Sequence, residues 1–397
     1  MHTIRFFTSG ESHGKALTGI IEGVPSGFSL SPEDIDHDLK RRQGGHGRGG
    51  RMSIESDRVE IISGVRWGKT LGSPIAISIE NRDWENWLAG MSILEANRGT
   101  IPPVTRPRPG HADLAGALKY DKKDIRDILE RSSARETAMR VALGAIAKKF
   151  LLDFGITIGS YVTQIGKVPA HQGSPVDDSA LIRLFQAAES SSVRCPDKTA
   201  SRNMVRHIDQ AMKEKTSLGG SFTVFAAGVP VGLGSHTQWD RKLDGRLAQA
   251  IMSIQAIKGV EIGDGFAMAS LPGYAVMDEI YYDASARTGT KVFYRKTNHA
   301  GGIEGGMSNG MPILISAVMK PIPTLRKPLM SVDIKTKQAF SAAYERSDTC
   351  AVPAAAVVAE AMIALVLVDA FLEKFGGDSK REITRNVRAY LSYLKTF

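Results

Sequence analysis

Cysteine is scarce, with only Cys195 and Cys350 in 397 residues. That excludes a disulfide framework and a cysteine-based zinc site, and makes the reduced cytoplasm the expected compartment. No apolar run reaches the ~20 unbroken residues of a spanning helix. The nearest candidate, Pro353–Phe371, is interrupted by Glu360 and Asp369 and reads as a buried core helix. Met1–Phe7 runs straight into polar residues, so no signal peptide is expected. Walker A, HExxH, G-x-S-x-G and kinase signatures are missing, and neither a carboxylate pair nor a metal cage is legible. What remains is an ordinary globular composition, 42% hydrophobic and 23% charged, with a net charge of +9 that suits an anionic partner.

Against these absences one stretch is conspicuous. Lys40–Met52, KRRQGGHGRGGRM, holds five cations and five glycines and no carboxylate. Glycine lets the backbone take positive φ and come close to a ligand. Arginine offers a planar fork that fits phosphate and carboxylate oxygens. The pattern reads as a clamp for something small and highly anionic. A solvated charge run and an RGG-type nucleic-acid arm compete with that reading. The arm has only one RGG, Arg48-Gly49-Gly50, and no aromatic residue in Lys40–Met52 on which bases could stack. Gly45, Gly47 and Gly50 also spell G-x-G-x-x-G, but a dinucleotide fingerprint follows a strand, and this one follows the helical pattern Ser31–Arg42.

Strands are expected at Thr3–Thr8, Leu17–Val24, Val59–Val65, Pro74–Glu80, Ile156–Gly166, Phe222–Val231, Val276–Tyr282, Lys291–Tyr294 and Pro312–Met319. Helices are expected at Ser31–Arg42, Lys122–Phe154, Val176–Ser190, Asp197–Lys215, Arg241–Ile257, Ala354–Lys374 and Asp378–Leu394. Short words recur in the same order. Gly23-Val24-Pro25 returns as Gly228-Val229-Pro230, and Gly72-Ser73-Pro74-Ile75 as Gly310-Met311-Pro312-Ile313. Glu130-Arg131-Ser132 returns as Glu345-Arg346-Ser347, each word ahead of a long helix that ends in Phe-Gly. The repeats imply one domain over 1–397, built from two similar halves of roughly 1–165 and 216–397 joined by a helical connection. The expected fold is α/β of the α+β type, two sheets enclosing helices about a pseudo-two-fold axis. Both Glu-Arg-Ser words are placed at helix N-termini, where unpaired backbone N–H groups favour anions.

Candidate chemistry gathers on loops. His13, in Gly10-Glu11-Ser12-His13-Gly14, follows a strand and carries the side chain most often used for proton delivery. His111 follows Pro109-Gly110 on a proline-stiffened loop that also carries Arg106 and Arg108. Asp348 reads equally as a helix cap and as a base beside an arginine. Lys320-Pro321-Ile322-Pro323-Thr324 is a rigid corner with one cation, and Gly301-Gly302 and Gly305-Gly306 allow a flat ring or phosphate to approach. His2, His37, His171, His207 and His236 read as surface residues.

The words Gly10–Gly14, Arg41–Met52, Arg108–Asp113, Glu130–Thr137, Lys320–Thr324 and Arg346–Asp348 together resemble the chorismate synthase family, in that family's order and over nearly the whole chain. His46 departs from the tyrosine usual at that position in bacterial members. The resemblance implies a lyase that converts 5-enolpyruvylshikimate 3-phosphate to chorismate and phosphate by 1,4-anti elimination. It also implies reduced FMN without net redox change, a β-α-β sandwich and a homotetramer. By that resemblance Arg131, Ser132, Ser133, Gln255, Ala256, Gly305, Lys320, Pro321, Ile322, Pro323, Thr324 and Arg346 contact FMN. Arg42 and Arg48 match positions associated with NADP, with NADPH as a reductant, and Arg48, Arg51 and Arg135 hold the substrate. His13 protonates the departing phosphate with Ser12 in its relay, His111 serves the flavin's N1–C2 edge, and Asp348 helps flavin N5 take the C6 proton. A nucleic-acid binder and a nicotinamide oxidoreductase remain the competing function classes.

Overall fold

The computed structural model describes residues 3–49, 56–170, 176–283, 293–343 and 347–397. Alternation of buried and exposed side chains builds the first sheet from β1 (Arg5–Ser9), β2 (Ala16–Glu22), β3 (Val59–Ile61) and β4 (Ile75–Glu80). Its order is β1-β2-β4-β3, every pair antiparallel. The second sheet takes β5 (Thr157–Ile165), β6 (Gly220–Ala227), β7 (Ile257–Ile262) and β8 (Ile313–Met319). Its order is β5-β6-β8-β7, again antiparallel, with Val168–Pro169 added at the β5 edge. Each sheet therefore runs first-second-fourth-third.

The helices follow the same plan. Each unit is strand, strand, helix, strand, strand, helix. The first uses α1 (Pro32–Gln43) and α4 (Thr137–Leu152), the second α7 (Leu243–Met252) and α8 (Val352–Phe375). Here Thr157–Ile165 is the opening strand of the second unit, where the sequence reading puts it at the end of the first. The recurring Gly-Val-Pro words share one physical cause. A Cβ on Gly23 would lie 1.9 Å from the Thr3 carbonyl oxygen, and one on Gly228 2.3 Å from that of Gly155, so the chain leading into each unit's first strand crosses a glycine that cannot carry a side chain.

Helices α4 and α8 form the layer between the sheets and share the main hydrophobic core with both. They cross at Gly144, where a Cβ would lie 2.3 Å from Cβ of Ala361. Helix α8 is long and apolar enough to cross a membrane, but nearly all of its apolar stretch is buried in the protein. Its two buried acids explain themselves. Glu360 is fully buried and bonds Arg41, Lys148, Arg194 and Ser160. Asp369 accepts the backbone N–H groups of Thr3 and Ile4 and pairs with Arg246 at 2.5 Å.

The expected helix Lys122–Phe154 is not continuous. It divides into α3 (Arg126–Ser132), one 3-10 turn (Ala134–Glu136) and α4, because Ser133 is extended at φ −60°, ψ 141°. Glu130-Arg131-Ser132 therefore closes a short helix instead of opening a long one. Its counterpart lies outside the described residues at Glu345 and Arg346, and α8 starts five residues after Ser347. The strand expected at Val276–Tyr282 shrinks to Tyr281–Tyr282, which pairs with Phe293–Tyr294. His207 is half-buried against Gly166 rather than on the surface, and His2 and His171 fall outside the described residues.

Two predictions follow from the central layer. Gly144→Val should destabilise the chain by about 1–3 kcal/mol through overpacking, with Ala361→Gly recovering part of the loss; thermal melting of the single and double variants measures both. Burial alone would raise the Glu360 carboxyl, but Arg41, Lys148 and Arg194 hold it down at about 2, from an ordinary value of 4.5. A depressed carboxylate stabilises the fold above its unfolded pKa and loses that contribution as pH falls through the folded one. Urea midpoints should therefore drop between about pH 4.5 and pH 2, and less steeply in Glu360→Gln.

Candidate active site

Helix α1 starts with Pro32 in its first turn and the Ser31 N–H bonded to Asp34 at 2.9 Å, and it ends at Gln43. Its last turn sends consecutive arginines in opposite directions. Arg41 joins the Glu360 network, while Arg42 is buried on the other side, donating to the Thr137 hydroxyl at 3.0 Å and the Ala134 carbonyl at 2.9 Å. The glycine segment then runs past 347–350: the Gly47 carbonyl accepts the Thr349 N–H at 2.8 Å. Asp348 pairs with Arg48 at 2.6 Å and accepts the Gly49 N–H at 2.6 Å. His46 reaches Asp209 on helix α6 (Lys198–Lys213) at 2.6 Å. Arg51 and Arg346 lie outside the described residues.

Arg135 stands beside Arg42, donating to Asp57 at 2.6 Å and to the Asn81 side-chain oxygen at 2.9 Å. Nη1 of Arg42 faces Oδ2 of the same Asp57 at 3.6 Å, too far for a hydrogen bond, and both atoms are buried with no hydrogen-bond partner among the described residues. Burial drives the Arg42 guanidinium down to about 10; Asp57 and Asp348 oppose the shift, Arg48 and Arg135 add to it. Among the described residues three arginines thus gather beside two carboxylates in a place water screens poorly, a setting that suits an anion.

His13 and Ser12 lie on the loop between β1 and β2. The His13 N–H and its Nδ1 both engage Glu130, at 2.8 Å each, and Trp87 packs on the imidazole at 4.3 Å between ring centroids. The Ser12 hydroxyl lies 3.1 Å from that of Ser133. Burial would raise the Glu130 carboxyl, yet hydrogen bonds and charge from His13, with Arg126, keep it below its ordinary value. A carboxylate only accepts, so Nδ1 donates, and any proton exchange of this ring with a ligand would go through Nε2.

His111 is held in the same manner from closer by. Its Nδ1 meets Asp113 at 2.5 Å, and the buried Asp113 also takes three bonds from Arg108. Arg108 approaches the same Nδ1 at 3.1 Å, but an arginine only donates, so the shorter Asp113 contact sets the tautomer. Arg108 donates on to the Thr324 hydroxyl at 3.0 Å, and the Ser347 hydroxyl to the Thr324 carbonyl at 3.1 Å, which joins the His111 loop to the segment of Asp348. Lys320 bonds the Gly110 carbonyl through Nζ at 2.5 Å and the Ala256 carbonyl through its N–H at 2.9 Å. The Ile322 carbonyl accepts the Ser217 hydroxyl at 2.7 Å, with Pro321 and Pro323 on either side. Gln255 donates to Glu136, which also takes Thr8 and Arg140, while Arg131 grips the Thr8 and Gly10 carbonyls.

Hydrogen bonds thus connect the expected residues from Arg131 through Gln255, Ala256 and Lys320–Thr324 to His111 and Asp348. Ser12, Ser133 and His13 adjoin the arginines through the Ala134–Thr137 turn. Ser132 ends α3 beside them. Gly305 is placed apart. Its turn lies against His236 and Lys242 at the start of α7, whereas Gln255 and Ala256 follow that helix's far end, about 15 Å away at 1.5 Å per residue. Sequence reasoning gave no role to Glu130, Asp113, Asp57, Asn81 or Trp87. Only Asp113 had a local signal, a carboxylate two residues after His111.

Inorganic phosphate should raise the thermal midpoint of this chain in a concentration-dependent way, by about 2.7 kcal/mol of stability at 100 times its Kd. Arg135→Gln and Arg48→Ala should each flatten that response in a melting titration, and chloride at equal ionic strength should not reproduce it.

The chorismate synthase family model matches residues 4–372. Proteins named chorismate synthase are similar along their whole length. Those of Pelobacter propionicus and Geobacter metallireducens are 57% and 56% identical, covering 99% of this chain and all of each relative. That of Aquifex aeolicus is 54% identical over 99% of both chains. A solved structure described as a crystal structure of chorismate synthase superposes with a TM-score of 0.80 at 45% identity, covering 99% of each chain. The match in sequence and in fold leads to one conclusion: the chain belongs to the chorismate synthase family, carbon–oxygen lyases of the shikimate pathway.

Proposed function

We propose that this chain eliminates phosphate from 5-enolpyruvylshikimate 3-phosphate in the 1,4-anti sense to give chorismate, with reduced FMN bound and no net redox change. The observation that carries the reading is the convergence of Arg42, Arg48 and Arg135, beside Asp57 and Asp348, in one poorly solvated place, which suits a substrate bearing a phosphate and two carboxylates. Arg51 extends the same clamp, and Arg42 and Arg48 are also assigned the phosphate of NADPH where that serves as reductant.

The surroundings of Arg131 fit a flavin. A cleft of about 380 Å³ opens between β1 and the Ser253–Gln255 turn, lined by Phe6, Phe7, Arg131 and Gln255 among others. The side-chain oxygen of Gln255 is buried there with no donor among the described residues, which suits a ring N–H. Arg131, Ser132, Ser133, Gln255, Ala256 and Lys320–Thr324 would hold the group, with Arg346, while Gly305 would serve another part of it or another copy. When bound, the dihydroflavin supplies electron density to the substrate ring as its C–O bond breaks and recovers it afterwards. His13 delivers the proton from Nε2 to the leaving phosphate and is left neutral, with Ser12 in its relay. His111 would hold a proton toward the ring edge of the bound flavin, and Asp348 would help the flavin take up the proton lost from C6.

Assembly as a homotetramer is part of the proposal. The outer face of the first sheet is bare, with Phe7 and Ile20 paired across strands and 70% and 47% exposed, whereas helix α5 (Asp178–Glu189) covers the second sheet by packing Phe185 on Phe225. Two free, buried cysteines agree with work in the reduced cytoplasm.

Under anaerobic conditions, prereduced FMN with substrate should release phosphate with no net flavin oxidation, and oxidised FMN should release none. His13→Ala, His111→Ala and Asp348→Ala should each slow turnover at least about tenfold. Inactivity with reduced FMN would sink the reading, and wild-type rates in all three variants would sink the roles.

A further inference from the structure

Behind His13 stands a carboxylate that the proposed reaction does not itself use. Glu130 is almost fully buried in the last turn of α3, 117 residues away in sequence, and its side chain is wholly engaged around one loop. One oxygen accepts the His13 backbone N–H at 2.8 Å; both lie within 3.0 Å of Nδ1, at 2.8 and 3.0 Å. Its own backbone carbonyl accepts the Ser12 N–H at 3.0 Å. Arg126, one helical turn earlier, donates to the carboxylate at 3.2 Å and lies over the Trp87 ring at 4.8 Å, while the same indole packs on His13. Imidazole, carboxylate, guanidinium and indole close into a four-member cluster that leaves the ring little freedom to turn.

Such an arrangement has two consequences for an acid. Nδ1 is committed as a donor, so Nε2 is the only nitrogen that can serve a ligand, and its direction is set by residues that never touch the ligand. The same carboxylate also holds the His13 N–H, so ring and backbone are fixed together. Serving only as a loop clip would require no contact with Nδ1, because the bonds to the Ser12 and His13 N–H groups already clip the loop.

We infer that Glu130 is a positioning residue for His13, holding its Nδ1 so that Nε2 presents the proton to the leaving phosphate, with Arg126 and Trp87 fixing the carboxylate and the ring. This rests on the reading of His13 as proton donor. Glu130 keeps its charge throughout; only Nε2 changes its proton.

The test is a double-mutant cycle with a spectroscopic arm. Glu130→Gln is nearly isosteric and can still accept the His13 N–H. It should lower kcat at least about tenfold while leaving KM within about twofold, since the lost interaction acts on the reacting proton and not on binding. In a His13→Ala background the same substitution should cost little more, because a residue acting only through His13 has nothing further to lose. In full-length protein labelled with 15N-histidine, the Nδ1–H resonance of His13 should be present in the wild type and change in Glu130→Gln. Wild-type kcat in Glu130→Gln, or losses that multiply in full in the double variant, would overturn the inference. Should Glu130→Gln fail to fold, the wild-type spectrum decides alone: an unprotonated Nδ1 contradicts the inference and a protonated one upholds it. Full activity in His13→Ala would instead defeat the proton-donor reading, and the spectrum would still report whether Glu130 holds the ring.

Discussion

The fully buried carboxylate of Glu360 is the point on which the rest of the molecule turns. It gathers Arg41 from α1, Lys148 from α4 and Arg194 from the segment after α5, and Asp38 and Glu189 return the charge on the other side. An uncompensated charge at that depth would cost several kcal/mol, so the partners cannot drift apart. Their geometry fixes the rotation of α1 against the central helices. Because Arg41 must face Glu360, its neighbour Arg42 must face away, and away is where Arg48, Arg135 and Asp57 meet. A structural network thus aims a functional one.

Duplication explains how so few contacts organise a long chain. Two units with strand order first-second-fourth-third supply two central helices, and the crossing at Gly144 lets those helices touch backbone to backbone. The two units differ in their insertions. The first inserts α3 and the His111 loop between its fourth strand and its central helix, and the second inserts α5 and α6 between its first and second strands and 265–308 between its third and fourth. Loops that the scaffold does not need are free to carry function.

Much of this was legible in the residues. The repeated Gly-Val-Pro words mark a crossing that no side chain survives, and the alternating strands gave nearly the observed boundaries. Helix Lys122–Phe154 was misread for a physical reason: its propensities favour a continuous helix, and only tertiary contacts extend Ser133 and bring its hydroxyl to Ser12. The two histidines show the same limit. Asp113 stands two residues from His111 and could be suspected; Glu130 stands 117 residues from His13, and no local pattern ties them. Asp57 is invisible for the same reason, one acid in an unremarkable stretch until it is found between two arginines.

Those two arginines also bear on why charge, before shape, would decide what the proposed site binds. Arg135 has Asp57 at 2.6 Å, and Arg48 has Asp348 at 2.6 Å. Arg42 is left with Asp57 at 3.6 Å and two like charges nearby, and its guanidinium is pushed down to about 10. At a surface this imbalance would be worth little, because water and salt would screen it. Buried, it makes every arriving oxyanion worth more than the same contact in solvent. On the proposed assignment the cluster would bind substrate and released phosphate by the same charges, and a proton passed from His13 to the leaving group would weaken the grip on the product.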